Sequence, residues 1–183
     1  MSRILGIMGS PRKGGNTDVL LQRILDGARA EGADTGMVHL GDVVISECDG
    51  CHACWQGKPC PRMDDMNDLY PKIIDSDTLI FATPVYWYGP TALMKAFLDR
   101  FVYFNCPENR EKIKGTRCVL AVVFEEDTGE AAGPLLDMFE KSFAYLEVNY
   151  TETILVPGVT KRGEIAEKVD VMTRAFEMGR GLA

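Results

Sequence analysis

Apolar residues recur along the chain in short runs that alternate with amphipathic segments of helical spacing. The first run, 4–8, leads into a Gly-rich loop, and apolar side chains then recur over 19–25 at the spacing of one helix face. Residues 16–18 offer Asn, Thr and Asp side chains for the N-terminal cap of that helix. A further apolar stretch, 37–40, predicts a second strand, so the chain opens as strand, helix and strand.

Beyond residue 65 the same alternation predicts three more strands and four helices. The strands are expected at 78–83, 118–124 and 153–156, and the helices at 66–75, 91–103, 131–146 and 164–178. Five strands alternating with helices predict an α/β fold, a five-stranded parallel sheet with helices on both faces. Ligands of such sheets bind beyond the carboxyl ends of the strands, so the loops 9–17, 84–90 and 125–130 should share one rim.

Composition and charge narrow the class of protein. A chain of 183 residues suits one domain, 1–183, and the segment 41–65 then reads as a Cys-rich, insertion-like loop. A net charge of -7 argues against nucleic acid or an anionic membrane as partner. The start of the chain lacks a secretory signal, and no apolar run approaches the roughly 18 residues of a membrane span. We therefore expect a cytoplasmic protein with reduced cysteines.

The first loop has the chemistry of a phosphate site. It reads Gly9-Ser10-Pro11-Arg12-Lys13-Gly14-Gly15-Asn16-Thr17. A loop between a strand and a helix directs backbone N–H groups and the positive helix end toward an anion. Neither the Lys position of a Walker A loop nor a G-x-G-x-x-G fingerprint is present. Hydroxyl and amide donors with little formal charge suit the phosphate monoester of FMN. The expected phosphate ligands are Ser10, Arg12, Gly14, Gly15, Asn16 and Thr17.

The second loop carries three aromatic residues between two prolines at a strand end. It reads Thr83-Pro84-Val85-Tyr86-Trp87-Tyr88-Gly89-Pro90. An isoalloxazine ring needs flat apolar surface together with backbone donors, and such a loop offers both. We expect the ring to contact Pro84, Val85, Tyr86, Trp87, Tyr88 and Gly89. The third loop is acidic at 125–127, and we assign these carboxylates no catalytic role because surface acids are usually just solvated.

Together the two loops resemble the NAD(P)H-dependent FMN reductase-like family, which includes flavodoxin-like quinone reductases and iron-sulfur flavoproteins. The resemblance covers roughly the first 105 residues and extends from the second loop to Asp99-Arg100. It implies a flavodoxin-like fold, bound FMN, and a homodimer or homotetramer in which the Cys-rich loop lies near a neighbouring subunit's flavin. The Asp99-Arg100 pair is expected to be structural.

Four cysteines in the segment 41–65 form the pattern C-x2-C-x2-C-x5-C. They are Cys48, Cys51, Cys54 and Cys60. Three thiolates at this spacing can bind three irons of one cubane cluster, and the fourth can close the site. The motif resembles that of the iron-sulfur flavoproteins, which implies a [4Fe-4S] cluster on all four. A zinc site remains an alternative, although structural zinc usually takes its ligands from two separated pairs. A loop without metal is another.

The leading functional hypothesis is an FMN-dependent oxidoreductase that passes electrons between a [4Fe-4S] cluster and FMN. Flavin suits this position because it exchanges either two electrons or one. The first alternative is a cluster-free NAD(P)H:FMN or quinone reductase, and the second is a non-catalytic redox carrier. The electron donor or acceptor, a small molecule such as NAD(P)H or a ferredoxin-type protein, is left open. No catalytic side chain is required, because the flavin would carry the chemistry.

Overall fold

The computed structural model describes residues 1–183 and contains one sheet of five parallel strands. The strands are β1 (Arg3–Met8), β2 (Asp34–His39), β3 (Thr78–Pro84), β4 (Arg117–Val123) and β5 (Asn149–Val156). Their order in the sheet is β2-β1-β3-β4-β5. The winding direction reverses between β1 and β3, and doubly wound sheets bind ligands at such a point. The predicted α/β class and parallel sheet are confirmed.

Six helices cover the two faces of this sheet. They are α1 (Asn16–Ala30), α2 (Met66–Ile74), α3 (Ala92–Asp99), α4 (Pro107–Arg110), α5 (Gly133–Tyr145) and α6 (Val169–Arg180). Helices α1 and α6 enclose a core of 19 buried residues on one face, while α2, α3 and α5 enclose 25 on the other. The predicted inward face of α5 is confirmed, since Leu135, Phe139 and Phe143 are buried. No helix has the combined length and apolarity that crossing a membrane requires.

The helix predicted over 91–103 ends earlier than the apolar pattern indicates. It stops at Asp99, and the chain continues as the 3-10 segment Arg100–Asn105. Residues three apart lie on the same side of a 3-10 helix, so Phe101 and Phe104 both enter the core. The helix predicted over 164–178 is also divided, into the 3-10 segment Glu164–Glu167 and α6.

The predicted N-terminal cap of α1 is wrong. Gly15 occupies the cap position without any side-chain hydrogen bond. The Asp18 carboxylate instead accepts a hydrogen bond from the Gly14 backbone N–H at 2.7 Å. Helix α1 therefore starts with its first N–H groups free of a side-chain cap, which suits an anion site better than a capped start.

We expect the crossing of α1 and α6 to tolerate no added side chain. A Cβ atom at Gly179 would lie 1.8 Å from the Ile24 carbonyl oxygen, and one at Gly27 would lie 2.0 Å from that of Phe176. The substitution Gly179→Ala should therefore force the helices apart and lower the free energy of unfolding by about 2–3 kcal/mol, as overpacking does. Urea denaturation measures this difference.

The matched control is Gly133→Ala, because nothing lies within 4 Å of its added Cβ and its backbone is right-handed helical. That variant should be unchanged or more stable by about 1 kcal/mol, since Ala is the better helix former. Equal stability of the two variants would contradict the close helix crossing.

Candidate functional site

A cleft lies at the carboxyl edge of the sheet, where the three central strands end together. The backbone hydrogen bonds continue past the strands, from Gly9 N to Ala82 O at 2.8 Å and from Val85 N to Val123 O at 3.0 Å. All three predicted loops contribute to this cleft, so their placement on one rim is confirmed. The cleft has a volume of 160 Å³ and is lined by Ser10, Arg12, Gly15, Asn16, Thr17, Pro84, Val85, Tyr86, Val123, Phe124, Glu125, Val159, Thr160 and Arg162.

The first loop is folded back on itself before α1 begins. The hydroxyl oxygen of Ser10 accepts a hydrogen bond from Arg12 N at 3.2 Å, and Gly15 N donates to Arg12 O at 3.1 Å. Gly14 has a φ of 66°, a left-handed conformation that glycine adopts without steric cost. The side chains of Ser10 and Thr17 are nearly buried, yet both line the cleft. These contacts fix the path of the loop at the start of α1.

The loop between β5 and α6 contributes residues that the sequence reasoning missed. Arg162 lines the cleft and donates a hydrogen bond to the carbonyl oxygen of Lys13. The Asn16 side chain is engaged on the other side, since it donates to Lys161 O at 2.9 Å and accepts from Ile165 N at 3.2 Å. Asn16 therefore ties the two loops together. The carboxyl-edge rule, applied to β5 as well, could have pointed to this loop.

The second loop forms a tight hairpin at the edge of the cleft. Tyr86 N donates to Gly89 O at 2.8 Å, and Gly89 N donates to Tyr86 O at 3.0 Å. Trp87 and Tyr88 occupy the two turn positions with φ values of 50° and 63°. Positive φ at both positions defines a type I′ turn, which normally takes Asn-Gly. Trp87 is 97% exposed, so this strained turn presents an aromatic side chain to solvent.

Most predicted flavin contacts lie in the cleft, but four do not line it. Pro84, Val85 and Tyr86 are brought together with the first loop. Trp87, Tyr88 and Gly89 belong to the hairpin and do not line the cleft, and neither does Gly14, which forms the left-handed turn of the first loop. The Thr91 hydroxyl joins the first loop to the start of α3, because it donates to Gly9 O and accepts from Met94 N.

The four motif cysteines line a second, smaller pocket of 20 Å³. Its lining consists of Cys48, Asp49, Cys51, His52, Cys54, Cys60, Pro61, Arg62, Tyr70, Arg100, Val102 and Tyr103. All four thiols are free. Burial raises the pKa of Cys54, and the nearby Cys60 and Cys48 raise it further because neighbouring thiolates repel one another. The segment 41–65 thus brings its cysteines to one place, although the sequence pattern gives it no helix or strand.

A buried ion pair between Arg100 and Asp64 lies next to this pocket. The Arg100 guanidinium lies 2.5 Å from the Asp64 carboxylate, with side chains 1% and 5% exposed. Burial alone would raise the pKa of Asp64, but hydrogen bonds from Arg100 and from Ser46 N hold that pKa below its usual value. Arg100 also donates to the Cys60 sulfur at 3.3 Å. The expectation of a structural role for Arg100 thus gains a specific contact with a motif cysteine.

The side chains of the cysteine pocket share one cavity but are not gathered at metal-binding distances. No group of three or more His, Cys, Asp or Glu side chains lies at the spacing that one ion requires. Zinc holds its four sulfurs close around one atom, at about 2.3 Å from the metal. A cubane cluster instead places its four cysteine ligands at separate corners, so they stand farther apart. Four thiolates are the donor set of both kinds of site, so the cysteines alone do not distinguish zinc from a cluster.

The sheet order and the rim cleft define a flavodoxin-like α/β protein with a cleft at the switch point, where such folds bind their ligands. Comparison with known proteins gives the family. The family model for NADPH-dependent FMN reductase matches residues 2–145, and the chain belongs to that family. It is accordingly a flavin-dependent oxidoreductase, with FMN as the cofactor of the family.

Two relatives and one solved structure show the extent of the similarity. An iron-sulfur flavoprotein of Archaeoglobus fulgidus is 34% identical over 96% of this chain and 80% of its own. One from Methanosarcina thermophila is 37% identical, but the match spans about half of each protein, 55% and 52%. The structure of NAD(P)H:quinone oxidoreductase from Methanothermobacter marburgensis superposes with a TM-score of 0.81 at 17% identity, covering 100% of this chain and 99% of that one. This last likeness shows the fold alone.

The strained hairpin yields a prediction about stability. Replacing Trp87 and Tyr88 by Asn and Gly should raise the free energy of unfolding by about 2 kcal/mol, because L-residues with side chains lose about 1–2 kcal/mol in the left-handed region. Chemical denaturation of the flavin-free protein tests this. Tyr145→Asn, which alters an exposed aromatic residue within α5, should bring no gain. A double variant no more stable than the parent would argue against the type I′ turn.

Proposed function

We propose that this flavin-dependent oxidoreductase passes electrons between FMN in the rim cleft and a [4Fe-4S] cluster on Cys48, Cys51, Cys54 and Cys60. The observation that carries the proposal is that all four motif cysteines, each with a free thiol, line one pocket. The similarity to proteins named iron-sulfur flavoproteins over 96% of the chain supports it. Thiolates are the usual protein ligands of such clusters.

The first loop would hold the FMN phosphate. Ser10 and Thr17 offer hydroxyl groups, while the N–H groups at the start of α1 and the Arg12 side chain supply positive potential. Asn16, with its side chain engaged by the β5–α6 loop, would act through its backbone and by fixing Arg162 beside the phosphate. Gly14 and Gly15 would let the loop approach the anion closely.

The second loop would hold the isoalloxazine ring. A cleft of 160 Å³ is smaller than the roughly 300–1,000 Å³ that enclose a whole ligand of drug size, so only part of the flavin would be enclosed. Pro84, Val85 and Tyr86 would line the inner side, and the hairpin 86–89 would place Trp87 and Tyr88 over the outer part. An exposed aromatic rim of this kind would also suit contact with a second subunit in a homodimer or homotetramer.

The side chains of the cleft would bind and orient the cofactor and would take no part in covalent chemistry. Bound flavin supplies the redox step by exchanging two electrons with a hydride donor or one with a cluster. Val85 and Phe124 would exclude water from the inner face, and Glu125 is the single acid of the third loop that reaches the cleft. A carboxylate here would oppose negative charge on the reduced ring and lower its potential.

The residues of the cysteine pocket fit a cluster in their chemistry. Four thiols line one pocket, and the Arg100 guanidinium donates a hydrogen bond to the Cys60 sulfur. The pocket must widen from 20 Å³ to accept a cubane. Widening would come from the segment 41–65, whose only regular structure beside the cysteines is the 3-10 turn Ala53–Gln56, while Tyr70 of α2 and the segment Arg100–Asn105 form the fixed side of the pocket.

A cluster-free NAD(P)H:FMN or quinone reductase is the second candidate. The solved structure of an NAD(P)H:quinone oxidoreductase superposes on the entire chain, and the cysteine pocket is small, at 20 Å³. Iron, acid-labile sulfide, zinc and flavin measured per chain in anaerobically purified protein decide between the two. About four irons and four sulfides with one FMN support the proposal. FMN without iron, even after anaerobic reconstitution, would support the second candidate.

Removing one motif cysteine should affect the binding of iron without affecting the binding of FMN. We expect Cys54→Ala to lose most iron and sulfide while it keeps one FMN per chain, because Cys54 lines the cysteine pocket and not the rim cleft. Metal analysis and the visible spectrum measure both. Cys118→Ala, which alters a buried cysteine within β4, is the matched control and should keep both cofactors. Parallel loss of flavin from Cys54→Ala would contradict the independence of the sites.

The phosphate assignment predicts a selective loss of affinity. Arg12→Met and Arg162→Met should each weaken FMN binding about tenfold or more, since a charged hydrogen bond contributes about 1.5–3 kcal/mol. Riboflavin lacks the phosphate, so its dissociation constant should change little in the same titrations of flavin-free protein. Arg174→Met removes an exposed arginine of α6 as a control. Equal losses for FMN and riboflavin would place these arginines away from the phosphate.

A further inference from the structure

Arg100 is the buried charge that connects the core of the protein with the cysteine pocket. It is the residue that follows α3, and its side chain is 1% exposed. Its guanidinium makes three contacts with the segment 41–65: the Asp64 carboxylate at 2.5 Å, the Ser46 carbonyl oxygen at 2.9 Å, and the Cys60 sulfur at 3.3 Å. One planar side chain therefore fixes the beginning and the end of the cysteine-bearing loop.

The surroundings of Arg100 hold it in this position. The Tyr70 hydroxyl donates to the Arg100 carbonyl oxygen at 3.1 Å, and the Tyr70 ring stacks on Tyr103 at 4.0 Å between centroids. The Asp64 carboxylate accepts further hydrogen bonds from the N–H groups of Ser46 and Met66. Any displacement of the Arg100 guanidinium would break at least one of its hydrogen bonds to Asp64, Ser46 and Cys60. Buried hydrogen bonds are costly to leave unmade.

We propose that Arg100 is a positioning residue that fixes Cys60 and, through its hydrogen bond to the Cys60 sulfur, raises the reduction potential of a cluster bound there. This inference rests on the proposed iron-sulfur function. Reduction adds negative charge to a cluster, and a cationic donor to a ligand sulfur stabilises the added charge. Arginine suits the task because its planar group can serve the carboxylate and the sulfur together, which a lysine ammonium cannot match.

The test measures cluster content and cluster potential in Arg100→Met, Arg100→Lys and the double variant Arg100→Met/Asp64→Leu. The double variant replaces the buried pair by apolar residues, so no carboxylate is left buried alone, and we expect it to fold. Lys95→Met, which removes an exposed cation from α3, is the matched control for net charge. FMN content and circular dichroism report whether each variant is folded.

We expect the folded Met variants to hold less iron and sulfide than the parent. In the remaining cluster, the ratio of reduced to oxidised form at a fixed potential should fall about tenfold, which corresponds to about 59 mV for one electron. Arg100→Lys should recover part of the potential but less of the cluster content. Lys95→Met should match the parent in both quantities.

Two results overturn the inference, and they differ from each other. If the parent binds a cluster and the folded Arg100 variants match its content and potential, Arg100 is only structural and the proposed function stands. If the parent binds no iron or sulfide even after reconstitution, the proposed cluster function fails and this inference fails with it.

Discussion

The parallel pairing of β3 between β1 and β4 is the constraint on which both sites depend. Parallel strands place all their carboxyl ends at one edge, and here the hydrogen bonds continue into the loops, from Gly9 to Ala82 and from Val85 to Val123. The first loop therefore starts at a fixed distance from the second. A Cβ atom at Gly9 would lie 3.0 Å from the Ala82 carbonyl oxygen, so this close approach needs glycine.

Helix α3 extends the same constraint from the cleft to the cysteine pocket. Thr91 caps its N-terminus and bonds Gly9 of the first loop, while Arg100 follows its C-terminus and bonds Cys60. A helix of eight residues is about 12 Å long. Helix α3 is thus linked to the flavin cleft at one end and to the cysteine pocket at the other. A change that tilts α3 should be felt at both the flavin cleft and the cysteine loop.

The sequence predicted the parts of the molecule that local chemistry and burial determine. The strands 78–83 and 118–124 were within a residue of β3 and β4, because central parallel strands are apolar throughout. The edge strand β5 begins four residues earlier than predicted, since its first positions are polar and half exposed. Arg162 was not predicted, because no motif near it in the sequence indicates a binding site. It reaches the cleft because Asn16 bonds the neighbouring Lys161, 145 positions away in the chain.

The buried pair of Arg100 and Asp64 is hard to explain by stability alone. Desolvation of two charges offsets most of their attraction, and apolar residues of similar volume often stabilise a fold as well or better, whereas loss of one partner costs about 3–5 kcal/mol. Asp64 is satisfied by backbone N–H groups on both sides, so it fixes the orientation of the guanidinium. What the pair adds beyond packing is a cation held against the sulfur of Cys60, inside a pocket formed by four free thiols. A positive charge at that place would stabilise negative charge on the cysteines, while the same guanidinium holds the two ends of the segment 41–65 through Ser46 and Asp64.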